Sequence, residues 1–273
     1  MKAHAPGEET ELVECSECGL HYFVPAIPGD ARFYQQVMDA MAYEPTRWEF
    51  GIVEERIRSS ESVLDLGAGG GAFLSSIAGP GRRVVGLDHN PRAIEQLRSS
   101  GVEGFTEDFM SFARRESHQF DVVVAFHLLE HVPDVAEVLE PALLALRPGG
   151  RIFLSVPNDL RMKPSDLEPL DCPPHHLSRW RPEQFRILAH KYGFRLKSIE
   201  FEPPLVIDYE NEVATSLRRV LGRRATTLLM KISWRLGLTL RSHGALARRR
   251  YFQNHGRYGH AMLAELEVPR TGR

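Results

Sequence analysis

The sequence predicts an α/β fold with a doubly wound, mostly parallel sheet, and three observations carry that prediction. Continuous apolar runs of strand length recur in SVLDL, RRVVGLD, FDVVVAF and GRIFLSV, the texture of strands buried on both faces. Helical patterns alternate with them in GGAFLSSIA, in PRAIEQLRSS with Pro91 near its start, and in DVAEVLEPALLAL. A glycine-rich turn joins the first of these strands to the first of these helices. Strand alternating with helix at this spacing is the signature of a parallel sheet covered on both faces.

Taken in order, the first 30 residues are acidic and turn-rich, with Pro6, Pro25, Pro28 and Gly29. Helical spacing follows in FYQQVMDAMAY and in TRWEFGIVEERI, where Trp48, Ile52 and Ile57 are expected to line one face. After Pro157 comes a loop rich in Pro, Asp and His, reaching to Arg181. PEQFRILAHKYGF then predicts a helix stopped at Gly193, RLKSIEFE a strand, and HAMLAELEV a last strand. These changes divide the chain into an N-terminal extension (1–46), a core (47–202), a basic helical insert (203–258) and a final strand with tail (259–273).

At 273 residues, with 42% hydrophobic and 26% charged residues, the composition is that of a globular protein long enough to bury its own core. Three cysteines argue against a disulfide framework. No run of 18 apolar residues is present, and MKAHAPGEET lacks the apolar centre of a signal peptide, so the expectation is a cytoplasmic protein. The net charge of −2 conceals an asymmetry: residues 213–259 hold eleven Lys or Arg and no acid, while residues 1–212 carry −13.

The sharpest motif is VLDLGAGGGAF, with Asp65, Gly67, Gly69 and Gly71 in the order D-x-G-x-G-x-G. Glycines there permit positive φ and close approach of a ligand to the backbone, and the following helix N-terminus adds free N–H groups. Gly67, Gly69 and Ala72 also satisfy the looser dinucleotide pattern. Asp88 closes RRVVGLD, 21 residues after Gly67, where an acid can bind ribose hydroxyls. Asp108 in FTEDF is placed to accept from an adenine amine. FDVVVAFHLLEHVPD and LRPGGRIFLSVPN supply a further strand, a helix and another strand.

Over roughly residues 48–202 plus the last strand, the chain resembles the class I S-adenosylmethionine-dependent methyltransferases. FHLLEHVPD is similar to the segment found in ubiquinone-pathway and related small-molecule methyltransferases. The resemblance implies a seven-stranded Rossmann-like sheet with one antiparallel strand, HAMLAELEV, and S-adenosyl-L-methionine as cofactor. It assigns Gly67, Ala68 and Gly69 to the methionine moiety, Asp88 with neighbouring His89 to the ribose, and Asp108 with Phe109 to the adenine. Phe126 and His127 are expected to line the cofactor and methyl-transfer site. Asp65 is either a ligand contact or a structural acid holding the turn.

Methyl transfer from a sulfonium needs the acceptor positioned and, for a hydroxyl, deprotonated. His127 and His131 sit four apart on an expected helix start, on one face, but the H-E-x-x-H order is absent and no metal is expected there. In CPPHHLSRW, His175 and His176 are the candidate general bases, with His176 favoured over the alternative that they only pack the loop. Cys15 and Cys18 resemble half of the zinc module of some sugar-modifying methyltransferases. The second pair is missing, so the motif is expected to be metal-free.

In the basic insert, Leu217, Leu221, Ala225, Leu228, Ile232 and Leu236 recur at helical spacing. The readings are a cap on the acidic body, a peripheral contact with an anionic membrane or lipid-linked substrate, or, disfavoured, nucleic-acid binding. The expected function is methylation of a small molecule, most readily at oxygen of a glycan, lipid-linked or phenolic acceptor. Two rivals stand beside it: a catalytically silent cofactor-binding scaffold, and a nicotinamide-dependent reductase, against which the D-x-G and L-R-P-G-G features argue.

Overall fold

Four apolar runs of the sequence form the centre of the main sheet: β3 (Val63–Leu66), β4 (Val84–Leu87), β6 (Phe120–Phe126) and β7 (Leu146–Pro157). The computed structural model describes residues 10–40, 47–161, 169–203, 222, 225 and 259–270. Ahead of β3 lie a hairpin, β1 (Glu11–Glu14) and β2 (His21–Val24), then α1 (Ala31–Ala40) and α2 (Trp48–Arg56). Between the central strands run α3 (Ala72–Ile77), α4 (Pro91–Ser99), the short β5 (Glu103–Phe105), α5 (Phe109–Arg115) and α6 (Ala136–Ala145). The chain continues through β8 (Ser178–Arg179), α7 (Pro182–Tyr192), β9 (Arg195–Phe201) and β10 (Ala261–Glu267).

The seven-stranded sheet has the order β5-β4-β3-β6-β7-β10-β9. Its pairs β3–β4, β3–β6, β4–β5 and β6–β7 are parallel, and β10 runs antiparallel to β7. Every residue of β3 and β4 is buried, as continuous apolar strands require when helices cover both faces. Strand order reverses between β3 and β6, and the C-terminal ends of the parallel strands share one edge, where such sheets bind ligands. Gly193, with φ of 72°, ends α7 at the expected residue.

The extension hairpin joins β8 in a second, three-stranded sheet, with His21 opposite Arg179, so it is continuous with the loop that follows β7. In α2 the buried positions are Glu49 and Val53, whereas Trp48 and Ile52 are only partly covered. Ile57, just past the helix, is buried in the same core that Trp48 and Ile52 pack against, so the expected face is turned inward but also carries an acid. Met1–Glu200 with Ala261–Arg273 form one unit and Phe201–His260 another. The basic segment 203–258, apart from residues 203, 222 and 225, lies outside the described residues. No helix among the described residues is long and apolar enough to cross a membrane.

Candidate active site

The glycine turn leaves β3 and is tied at once to the next strand. The N–H groups of Gly67 and Ala68 both donate to the Leu87 carbonyl, at 2.8 and 2.9 Å. Gly67 sits at φ 75°, and a Cβ there would lie 3.0 Å from the Leu128 side chain, so only glycine fits both backbone and neighbour. The helix starts at Ala72 with Gly71 as its cap, two residues later than the sequence suggests.

Asp88 is the clamp of this turn. Its Oδ2 accepts from the Gly69 N–H at 2.9 Å and its Oδ1 from the Asn90 N–H at 2.8 Å. Each oxygen keeps a second lone pair for a ribose hydroxyl. Asp88 does not cap the next helix, because Asn90 does, accepting from the Arg92 N–H. On the neighbouring edge, Asp108 caps α5 by accepting from the Ser111 N–H at 2.9 Å. His89 stacks on Phe109 with centroids 5.1 Å apart. Four of the expected residues thus gather at adjacent strand ends.

Asp65 is buried, and its Oδ1 has no hydrogen-bond partner. Burial, reinforced by the Asp88 charge, raises its pKa well above the ordinary carboxylate range. Phe126, at the end of β6, packs its ring against Phe73 and Phe50 with centroids 5.0 and 5.1 Å apart.

His127 is not on a helix with His131. It has φ 49°, and its N–H donates to the Ser155 carbonyl at 3.0 Å. Only Leu129–His131 form a short 3-10 turn. This bend throws the imidazole between two fully buried acids: Nε2 lies 3.2 Å from Glu49 Oε1, and Nδ1 3.2 Å from Glu130 Oε1. Burial opposes the charged ring, but the Glu130 and Glu49 carboxylates outweigh it and raise His127 to about 9. Burial likewise works against the Glu130 charge, and the His127 imidazolium overcomes it, holding Glu130 at about 2. At neutral pH His127 is a fixed imidazolium and no general base.

The loop histidines pack on the other side of Glu130. The Leu177 N–H donates to the Glu130 carbonyl at 2.6 Å. His131, His175 and His176 form a ring cluster with centroids 4.6 to 5.0 Å apart, and Tyr34 of α1 sits edge-on to His131. Burial, with the adjacent imidazoles His131, His175 and His127 added, drives His176 down to about 3 against the pull of Glu130. At neutral pH the His176 ring is therefore neutral, with a lone pair on one nitrogen. His175 is lowered as well, first by burial. Cys15 and Cys18 stand at the tip of the β1–β2 hairpin, where the Gly19 N–H donates to the Cys15 carbonyl at 2.8 Å.

Glu49 is the residue that sequence reasoning missed. Its signal was present: an acid four residues before Val53, on the face that α2 buries. Tyr34 gave no comparable sign.

Fold and clamped turn together define a class I S-adenosylmethionine-dependent methyltransferase domain. A model of the family described as "Methyltransferase domain" matches residues 37–199, more than half of the chain, and the chain belongs to that family. A ubiquinone biosynthesis O-methyltransferase of Hahella chejuensis is 36% identical over 120 residues, 42% of this chain and 50% of the relative. One from Xanthomonas oryzae pv. oryzae is 29% identical over 154 residues, 48% of this chain and 64% of the relative. The chain spans about half the length of the curated relatives it matches. Among solved structures, a SAM-dependent methyltransferase from Archaeoglobus fulgidus superposes with TM-score 0.54 at 18% identity, over 87% of this chain and all of that one. The [4+2]-cyclase SpnF superposes with TM-score 0.58 at 16% identity, over 90% and 98%.

S-adenosylmethionine fits the residues present. Trp48 Nε1, Glu49 Oε2 and Asp65 Oδ1 are buried without hydrogen-bond partners, and the ammonium and carboxylate of a methionine moiety supply what such atoms lack. The Gly67 cradle, which a side chain would fill, leaves the backbone open to close approach.

Proposed function

We propose that the chain transfers the methyl group of S-adenosylmethionine to a hydroxyl oxygen of a small-molecule acceptor. The observation that carries this reading is the Asp88 carboxylate, held by two backbone N–H groups beside an open glycine turn. Choice of oxygen leans on the curated relatives, which are named O-methyltransferases. An aromatic or lipid-linked hydroxyl is the first acceptor class to test, with a glycan hydroxyl next.

The cofactor supplies a reactive methyl sulfonium, so the protein's task is to bind and orient. Asp88 would hold the ribose, Asp108 the adenine amine, and the Gly67–Gly69 backbone the methionine end. A neutral His175, whose Nδ1 donates to the Leu170 carbonyl, keeps an Nε2 lone pair that would accept a hydrogen bond from an acceptor hydroxyl. The eleven basic residues of 213–259 support docking of an anionic or lipid-linked acceptor, which co-sedimentation with anionic vesicles would detect.

Since fold does not dictate reaction, as the shared fold of a [4+2]-cyclase illustrates, the second reading is a chain that binds cofactor without transferring methyl. Labelled S-adenosylmethionine incubated with catechol-type, polyprenyl-linked and glycan acceptors separates the two. Label in an O-methyl product of one class is the expected result. Tight cofactor binding with no labelled product from any class would favour the second reading.

A further inference from the structure

We propose that His131, His175 and His176 form a binding site for one zinc-class divalent ion between the Leu129–His131 turn and the loop that follows β7. One ligand atom from each of the three lies within 4.8 Å of the others. A tetrahedral zinc with bonds of about 2.0–2.1 Å asks for nitrogens about 3.4 Å apart, so modest rotation of the rings completes the set.

The tautomers are already the ones a metal needs. His131 Nδ1 lies 2.6 Å from the His175 carbonyl, and His175 Nδ1 lies 3.0 Å from the Leu170 carbonyl. A carbonyl only accepts, so in the neutral rings each Nδ1 carries the proton and each Nε2 presents a lone pair. That second bond to a backbone oxygen is how metal-ligating imidazoles are oriented. His176 Nδ1 faces Asp171 Oδ1 at 3.7 Å.

The loop is also pinned. The His175 and His176 N–H groups both donate to the Cys172 carbonyl, at 3.1 and 3.2 Å, and the Gly29 N–H donates to the Pro174 carbonyl at 2.9 Å. The three rings also gather beside a carboxylate: Glu130 is fully buried, and its Oε1, paired with His127 Nδ1 at 3.2 Å, lies 3.9 Å from His131 Nε2.

Three imidazoles select zinc, or cobalt in its place, over magnesium or calcium, which take oxygen ligands. They leave the fourth position for water or an acceptor oxygen, whose proton a bound ion would loosen. Ion binding itself does not depend on the chain's being a methyltransferase.

The test is cobalt titration of tag-free, chelator-stripped protein, read by visible absorption, with zinc competition and calorimetry for stoichiometry. One equivalent giving intense tetrahedral bands, displaced by zinc, is expected. Affinity should fall about 100-fold or more in H175Q/H176Q, beyond the 10–100-fold typical of an outer-shell partner, and be unchanged in C15S/C18S. H176C should regain cobalt with a thiolate charge-transfer band, a readout that lost folding cannot imitate. Absence of binding, equal affinity in H175Q/H176Q, or loss only in C15S/C18S would each overturn the site. Circular dichroism and S-adenosylhomocysteine binding, measured on each variant, identify a fold defect.

Discussion

Two halves of the same sheet edge solve the burial of charge in opposite ways. On the glycine side, Asp88 is half-buried and satisfied by backbone N–H groups from Gly69 and Asn90, all within a short stretch of chain. On the histidine side, Glu49 and Glu130 are fully buried and share one imidazolium, His127, which is three residues from Glu130 but far along the chain from Glu49, with Arg47 3.9 Å from Glu49. Main-chain donors survive every substitution except proline, whereas a side-chain counter-ion does not. The first arrangement is robust and local; the second is breakable at a single residue.

The largest expected effect breaks that second arrangement. His127→Phe removes the imidazolium that two buried carboxylates share, leaving Glu49 with Arg47 at 3.9 Å and Glu130 with His131 at 3.9 Å, and should lower unfolding free energy by about 3–5 kcal/mol, read by urea denaturation. Unchanged stability would show that the acids protonate at little cost. Next, Asp88→Ala removes charge-assisted hydrogen bonds of about 1.5–3 kcal/mol and should weaken S-adenosylhomocysteine at least about tenfold, with the fold retained.

The pH dependence sharpens the contrast. His127 rises from 6.5 to about 9 in the folded protein. Its contribution to stability is complete below pH 6.5 and is lost as pH climbs through 9. Glu130 falls from 4.5 to about 2, so its contribution is complete above pH 4.5 and is lost as pH drops through 2. Urea midpoints should therefore fall from pH 6 to pH 9.5 in the wild type, and less so in His127→Phe. The smallest effect is local: Asn90→Ala removes the N-cap of α4 and should lower stability by about 1 kcal/mol, with stability insensitive to this change contradicting the cap.

The same contrast explains what could be read from the sequence. Gly67, Gly69 and Asp88 follow the ends of two adjacent parallel strands, β3 and β4, so motif and spacing placed them at one strand edge. The strands themselves were legible because both faces are buried and their apolar runs are unbroken. His127 was assigned to a helix because i,i+4 spacing suggests one, but the chain turns through φ 49° there, where burial of the ring between Glu49 and Glu130 outweighs local preference. The meeting of residues 34, 49, 127, 130, 131, 175 and 176 depends on tertiary packing across more than 140 positions of chain. No local pattern encodes it, although an acid on the buried face of α2 is a trace of it.

The central claim is that the clamped glycine turn is an S-adenosylmethionine site. Calorimetric titration with S-adenosylhomocysteine, with NADH and NADPH alongside and Asp88→Ala as the control, tests it most directly. Micromolar binding of S-adenosylhomocysteine alone, lost in Asp88→Ala, is the predicted result. Binding of a nicotinamide cofactor in its place, or of none of the three by a folded protein, would contradict it.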